Sequence, residues 1–140
     1  VVTQNIDGLH QAAGSKNVLE LHGSIHRNYC MQCGKFYDGV YVKAQPGIPR
    51  CSCGGIIKPD VVLYEEALDQ DVLSRSVQAI SRADMLIIGG TSLVVYPAAG
   101  LVQYYRGNKL VLINKGSTPI DRSAALVING AIGDALGMFL

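Results

Sequence analysis

The stretch MLIIGG at residues 85–90 decides the fold, because four consecutive apolar residues run directly into a pair of glycines. A strand that is apolar at every position is typical of a parallel sheet with helices on both faces. Two similar runs follow along the chain, KLVLI at 109–113 and ALVI at 125–128. These three stretches predict neighbouring parallel strands.

Helical patterns lie before and between these strands. Apolar residues at spacings of three and four predict a helix over about 69–82, and Pro97 at a first-turn position predicts another that ends at Gly107. Short strands are also predicted at 18–21 and 60–64. Strands that alternate with helices of this length indicate an α/β fold, a doubly wound parallel sheet whose ligands bind beyond the carboxyl ends of the strands.

Residues 26–58 differ in composition from the rest of the chain. They contain four cysteines, five glycines, two prolines and several aromatic residues, with few aliphatic runs. This composition predicts a small inserted module without a large core of its own. Residues 1–25 and 59–140 would then form a Rossmann-like domain, incomplete because the chain reads as beginning in mid-fold.

The four cysteines form two close pairs separated by seventeen residues, Cys30 with Cys33 and Cys51 with Cys53. Four thiolates on two turns suit one tetrahedral Zn²⁺ ion, and because sulfur fills every position the metal would be structural. Two disulfides, or four inert thiols, are the plain alternatives, but the sequence shows no secretory signal. A thioredoxin-type redox pair is a third, and it leaves the second pair without a role.

Polar side chains follow the first predicted strand, at Thr3, Gln4, Asn5 and Asp7, and His22 lies between a short strand and a glycine. Both places are strand ends, where a doubly wound sheet forms its crevice. An imidazole there can accept a proton, and an amide or a carboxylate can orient a ligand. Taken alone, such a histidine is more often structural, and such a segment is more often a turn.

Charge and hydropathy exclude several classes of partner. The formal net charge is +1 and the twelve basic residues are scattered, so we expect no nucleic-acid partner. There is no apolar run of membrane-spanning length and no targeting segment, so we expect a cytoplasmic protein without a membrane partner.

Four motifs in register resemble those of the sirtuins, a family of NAD-dependent protein-lysine deacylases. They are TQNIDGLH at 3–10, LHGS at 21–24, the paired cysteines, and GTSL at 90–93. The resemblance spans nearly the whole chain. It implies removal of acyl groups from protein lysines with NAD as co-substrate, giving nicotinamide, O-acyl-ADP-ribose and the free lysine.

The resemblance also implies residue roles around the reacting ribose. His22 would be the catalytic base that activates the ribose hydroxyls. Asn5 would orient water and ribose, Asp7 would hold the nicotinamide carboxamide with help from Ile6, and Gln4 would contact the ribose.

Further along the chain, the resemblance implies contacts with the rest of NAD. Gly90, Thr91 and Ser92 would meet the phosphates and adenosine, although a Gly-Gly-Thr-Ser turn can also be an ordinary strand-to-helix connection. Asn114 would contact the adenine ribose, and Ile132 would pack on adenine.

An acyl-lysine peptide would pair as a strand between residues 61–66 and 93–96. In this arrangement Val62 would pair with the peptide, Leu63 would lie in the same segment, and Tyr64 and Val95 would line the acyl tunnel. Without the resemblance, these apolar residues would be read as core.

Three departures from the family pattern stand out. The family commonly has Phe-Gly-Glu where this chain has Tyr64-Glu65-Glu66, and Gly116 replaces a common acidic residue. The family's N-terminal glycine-rich loop has no counterpart, so we expect these 140 residues alone to bind NAD poorly and to be inactive. A non-catalytic, zinc-stabilised NAD or ADP-ribose binding module is the alternative function, and a hydride-transferring oxidoreductase lacks room for a substrate domain.

Overall fold

A computed structural model describes residues 1–138, so the last two residues of the predicted 59–140 segment lie outside the described residues. The chain forms two compact units, a first unit of Val1–Leu73 and a second unit of Ser74–Leu140.

The first unit contains a two-stranded parallel sheet and a three-stranded antiparallel sheet. Its elements, in chain order, are β1 Val2–Thr3, α1 Leu9–Ala12, β2 Leu19–Glu20, β3 Gly23–Cys30, β4 Phe36–Asp38, α2 Gly39–Ala44 and β5 Ile57–Val61. Strands β1 and β2 form the parallel pair, and β3 lies between β4 and β5 in the antiparallel sheet.

The second unit is built on a three-stranded parallel sheet in the order β6-β7-β8, which confirms the three predicted parallel strands. Its elements are α3 Gln70–Ser81, which begins in the first unit, β6 Leu86–Gly89, α4 Ala98–Leu101, β7 Leu110–Asn114, β8 Leu126–Asn129 and α5 Ile132–Gly137. The predicted helix over 69–82 is thus confirmed as α3.

The strand predicted at 60–64 is partly wrong. β5 ends at Val61 and pairs antiparallel with β3, so it does not join the parallel sheet. The strand ends early because the chain then turns, with the Glu66 N–H donating to the Leu63 carbonyl oxygen at 3.1 Å. Pro59, which has no N–H to donate, is tolerated because β5 is an edge strand.

The helix predicted from Pro97 to Gly107 is also shorter than expected. α4 passes into a 3-10 turn at Val102–Tyr104, after which Tyr105 is extended. The Tyr105 hydroxyl donates to the Asp84 carbonyl oxygen at 3.1 Å and accepts from the Lys109 N–H at 3.1 Å. These bonds tie the chain back to the ends of two strands, so the helix stops early.

Burial of the parallel sheet is uneven. β7 is covered on both faces, with Leu112 and Ile113 almost fully buried, whereas Ile87 on β6 is 49% exposed. The central strand therefore matches the expectation of two covered faces, and within the described residues the side of β6 that carries Ile87 is open.

Candidate functional site

The four cysteines converge on one point in the first unit. Their Sγ atoms all lie within 4.8 Å of one another. The closest approaches are 3.5 Å between Cys30 and Cys53, 3.5 Å between Cys53 and Cys33, and 3.6 Å between Cys33 and Cys51. Cys30 and Cys51 are buried, and Cys33 and Cys53 are exposed.

Two tight turns carry the cysteine pairs. In the first, the Gly34 N–H donates to the Cys30 carbonyl oxygen at 2.9 Å, and in the second the Gly54 N–H donates to the Cys51 carbonyl oxygen at 2.8 Å. Both glycines have positive φ, 71° and 89°, which other residues adopt at a cost. A side chain on Gly55 would also overlap Cys30 Sγ. The sequence therefore shapes each turn around its sulfur atoms.

The geometry fits one zinc ion and contradicts the disulfide alternative. A disulfide needs a sulfur separation of about 2.05 Å, well below the observed values. Tetrahedral zinc with Zn–S bonds of about 2.3 Å places its sulfurs about 3.8 Å apart, close to what is seen. The four cysteines would hold a structural Zn²⁺, because four sulfur ligands leave no position for water or substrate.

Hydrogen bonds and neighbouring thiols shift the pKa values of these cysteines. The Cys53 backbone N–H and then the Tyr37 hydroxyl lower the pKa of Cys51 to about 5. The Gly55 N–H lowers the pKa of Cys53, but the neighbouring thiols outweigh it and raise that pKa to about 12. Adjacent thiolates repel one another, so a divalent cation is what allows all of them to ionise together.

The polar segment after β1 folds into a compact loop in the first unit. The Asn5 N–H donates to Thr3 Oγ1 at 3.1 Å, and the Leu9 N–H donates to Asp7 Oδ1 at 3.0 Å. Asn5 Nδ2 lies 3.5 Å from Asp7 Oδ2. These side chains order the loop, as an Asx turn does, and Asn5 remains exposed to solvent.

His22 contacts the same loop through Gln4. Its Nδ1 lies 3.1 Å from the Gln4 carbonyl oxygen, which can only accept, so Nδ1 carries the proton in the neutral ring. Nε2 is then the basic nitrogen, and it makes no hydrogen bond within residues 1–138. The side-chain Nε2 of Gln4 is buried and has no partner among the described residues. An unpaired buried donor is unfavourable.

Sequence reasoning missed two supporting residues, His26 beside the polar loop and Tyr37 beside the cysteines. His26 Nε2 donates to the Asp7 carbonyl oxygen at 2.9 Å, and a side chain on Gly8 would overlap its ring. Simple alternation along β3 does not predict the position of His26, because the register with β5 shifts between Ser24 and Asn28. Tyr37 is buried and its hydroxyl donates to Cys51 Sγ at 3.1 Å. No spacing rule identifies that contact in advance.

In the second unit, predicted site residues gather at the carboxyl ends of the parallel strands. Gly90 follows β6 with φ of 64°, and its N–H donates to the Ile113 carbonyl oxygen at 3.1 Å. Asn114 ends β7, and its Nδ2 donates to the Gly116 carbonyl oxygen at 3.0 Å. A side chain on Gly89 would overlap Ile132, which places Ile132 against the end of β6. Thr91 Oγ1 accepts from the Leu93 N–H at 3.2 Å.

The residues predicted to bind peptide are divided between the units. The Val62 N–H donates to the His22 carbonyl oxygen at 3.1 Å. Leu63 and Tyr64 follow in a turn and are exposed, Tyr64 fully. Val95, which lies in the second unit, is exposed as well.

None of the helices within residues 1–138 is long and apolar enough to cross a membrane.

Known proteins resemble this chain closely. A family model described as the Sir2 family matches residues 1–97. The NAD-dependent protein deacetylase of Clostridium acetobutylicum is 67% identical over 138 residues, covering 97% of this chain and 56% of that protein. The protein of the same name from Cutibacterium acnes is 55% identical over 136 residues, again covering 97% and 56%. The chain thus spans about 56% of the length of these relatives.

Solved structures give the same result at the level of the fold. A Sir2 in complex with the inhibitor EX-527, 2'-O-acetyl-ADP-ribose and a deacetylated p53 peptide is 43% identical, with a TM-score of 0.89 over 99% of this chain and 61% of that one. Sir2Tm bound to a propionylated peptide is 41% identical, with a TM-score of 0.87 over 99% and 61%.

Proposed function

The chain belongs to the Sir2 family, and from that membership we propose that the protein containing it removes acyl groups from protein lysines with NAD as co-substrate. The products would be nicotinamide, O-acyl-ADP-ribose and the free lysine. Support comes from relatives named as NAD-dependent deacetylases and from similar structures that hold 2'-O-acetyl-ADP-ribose, NAD and acylated peptides.

The observation that carries this proposal is the hydrogen bond between His22 Nδ1 and the Gln4 carbonyl oxygen. It fixes the tautomer of the ring, so that Nε2 holds the lone pair that a general base needs. Through this bond the base lies against the loop that carries Asn5 and Asp7. A base beside an amide and a carboxylate suits a sugar whose hydroxyl must lose a proton.

In the proposed reaction, the acyl oxygen of the substrate would bond to the ribose carbon of NAD as the bond between that carbon and nicotinamide breaks, and nicotinamide would leave. His22 Nε2 takes the proton from a ribose hydroxyl, and Asn5 orients water and the ribose. Asp7, with Ile6, holds the nicotinamide carboxamide. These residues position and stabilise and do not attack, because the nucleophile is the acyl oxygen of the substrate.

We assign the remaining contacts by the same family membership. Gly90, Thr91 and Ser92 would meet the NAD phosphates and adenosine, Asn114 would contact the adenine ribose, and Ile132 would pack on adenine. The peptide would lie along Val62, Leu63, Tyr64 and Val95.

We further propose that residues 26–58 form the zinc-binding module, and that residues 1–25 with 59–140 form part of the NAD-binding domain. A cluster of four cysteines that suits a zinc ion is typical of a reducing compartment, which favours the cytoplasm. With a formal net charge of +1, neither nucleic acid nor a membrane surface is proposed as a partner.

The decisive experiment is mass spectrometry of the full-length protein incubated with NAD and a panel of acyl-lysine peptides. We expect O-acyl-ADP-ribose and nicotinamide with at least one acyl group. In the variant His22→Ala, we expect both products to be lost while zinc content is unchanged. If the wild-type protein forms no product with any peptide but binds ADP-ribose, the non-catalytic binding module becomes the better reading.

A further inference from the structure

The segment that follows β5 is closed by a turn. The Glu66 N–H donates to the Leu63 carbonyl oxygen at 3.1 Å, and Glu65, the third residue of the turn, has φ of 70°. A positive φ at that position is typical of a type II turn, in which glycine is usually found. The turn sets the path of the residues proposed to pair with a peptide.

A single carboxylate oxygen holds this turn in place. Glu66 Oε2 accepts from the Leu63 N–H at 2.9 Å and from Lys58 Nζ at 3.0 Å. Lys58 Nζ also donates to the Val61 carbonyl oxygen at 2.9 Å, so one ammonium joins β5 to the turn. The Leu63 N–H and then Lys58 lower the pKa of Glu66, and the carboxylate is therefore ionised at neutral pH.

The start of the segment is hydrogen-bonded to the backbone of His22, the proposed catalytic base. The Val62 N–H donates to the His22 carbonyl oxygen, and Val61 faces Gly23 in the ladder between β5 and β3. Val62, Lys58 and Glu66 also line one cleft of about 340 Å³ in the first unit. The segment is thus held at its start by the backbone of His22 and at its end by Glu66.

We propose that Glu66, supported by Lys58, is a positioning residue that holds residues 62–65 in the conformation that an acyl-lysine peptide pairs with. This inference rests on the proposed deacylase function. A peptide that adds as a strand binds through backbone groups, so its affinity depends on whether those groups are already fixed. Glu66 does not contact the reacting atoms and acts only through the turn.

The bond to the backbone should matter more than the ion pair. Both side chains are partly exposed, and an exposed ion pair contributes little by itself. A hydrogen bond from a backbone N–H to a carboxylate is stronger, and its loss frees the whole turn. Removing the carboxylate should therefore weaken peptide binding more than removing Lys58.

Steady-state kinetics of the full-length protein with one acetyl-lysine peptide tests this ranking. For Glu66→Ala we expect the KM for peptide to rise about tenfold, while kcat at saturating peptide and the KM for NAD stay within about twofold. Glu66→Gln keeps an oxygen that can accept from Leu63, and Lys58→Met keeps Glu66 itself. Each should raise the peptide KM only about threefold. Asp84→Asn is the control, because it neutralises an exposed carboxylate outside the peptide segment and outside the proposed NAD contacts, and it should change nothing.

The outcomes separate this inference from the proposed function. An active wild-type protein whose peptide KM is the same in Glu66→Ala contradicts the inference alone, as does an equal effect from Asp84→Asn or an equal rise in the KM for NAD. Peptide affinity measured by fluorescence anisotropy should give the same ranking without turnover. If Glu66→Ala folds poorly, the expected threefold losses in Glu66→Gln and Lys58→Met decide. A wild-type protein that neither deacylates nor binds the peptide contradicts both the inference and the proposed function.

Discussion

Replacing Arg27 by methionine should destabilise the first unit by about 2–3 kcal/mol, because Arg27 joins three strands. Its Nη1 lies 2.7 Å from Glu20 Oε2 on β2, and its Nε lies 2.8 Å from Asp60 Oδ2 on β5. The Glu20 side chain is only 8% exposed, so losing its cation leaves a buried carboxylate, at a full cost of about 3–5 kcal/mol. Gln11 still donates to Glu20 Oε1 at 2.8 Å, which lowers that figure. Asp60 is 45% exposed and adds at most about 1 kcal/mol.

Urea unfolding of the zinc-loaded, full-length protein measures this loss as a shift in the midpoint of the transition that reports on the first unit. The control is the double variant Arg27→Met with Glu20→Gln, in which no buried charge is left unpaired, and it should recover about half of the lost stability. A loss below about 0.5 kcal/mol in the single variant, or no recovery in the double variant, would refute the view that Glu20 is the costly partner.

Two further predictions follow from other contacts of the first unit. Tyr37→Phe removes the hydroxyl that donates to Cys51 Sγ and should weaken zinc binding about tenfold, as competition with a chromogenic chelator would show, whereas Tyr41→Phe should not. Glu65→Gly relieves a positive φ and should raise the stability of the first unit by up to about 1 kcal/mol in urea unfolding, and a loss of stability would contradict the strain at this turn.

Some parts of the fold follow directly from the sequence because their signals are local. The runs at 85–90, 109–113 and 125–128 became β6, β7 and β8, and the apolar spacing over 69–82 became α3. The cysteine spacing likewise predicted the cluster of four sulfurs. In each case the pattern and its cause lie within a few turns of chain.

Other parts depend on contacts between distant residues. The pattern at 60–64 cannot show by itself that β5 will pair antiparallel with β3, since the paired residues are between 27 (Cys30 and Ile57) and 38 (Gly23 and Val61) positions apart in the chain. The partners of His26 and Tyr37 are also distant in the chain, at Asp7 and Cys51. The assignments to NAD and peptide of residues in both units remain predictions, carried by the family and open to the kinetic tests above.

The small core around the cysteines limits how this part of the protein can change during evolution. Its buried cluster consists of Cys30, Tyr37, Cys51 and Ile57, so half of it is metal ligand. An ordinary apolar core tolerates many exchanges of similar volume, because one packing can substitute for another. Here such an exchange at either cysteine would remove a metal ligand as well as a packing group. The surface residues of the module can therefore be substituted during evolution, whereas its buried residues can be kept only where a metal is available.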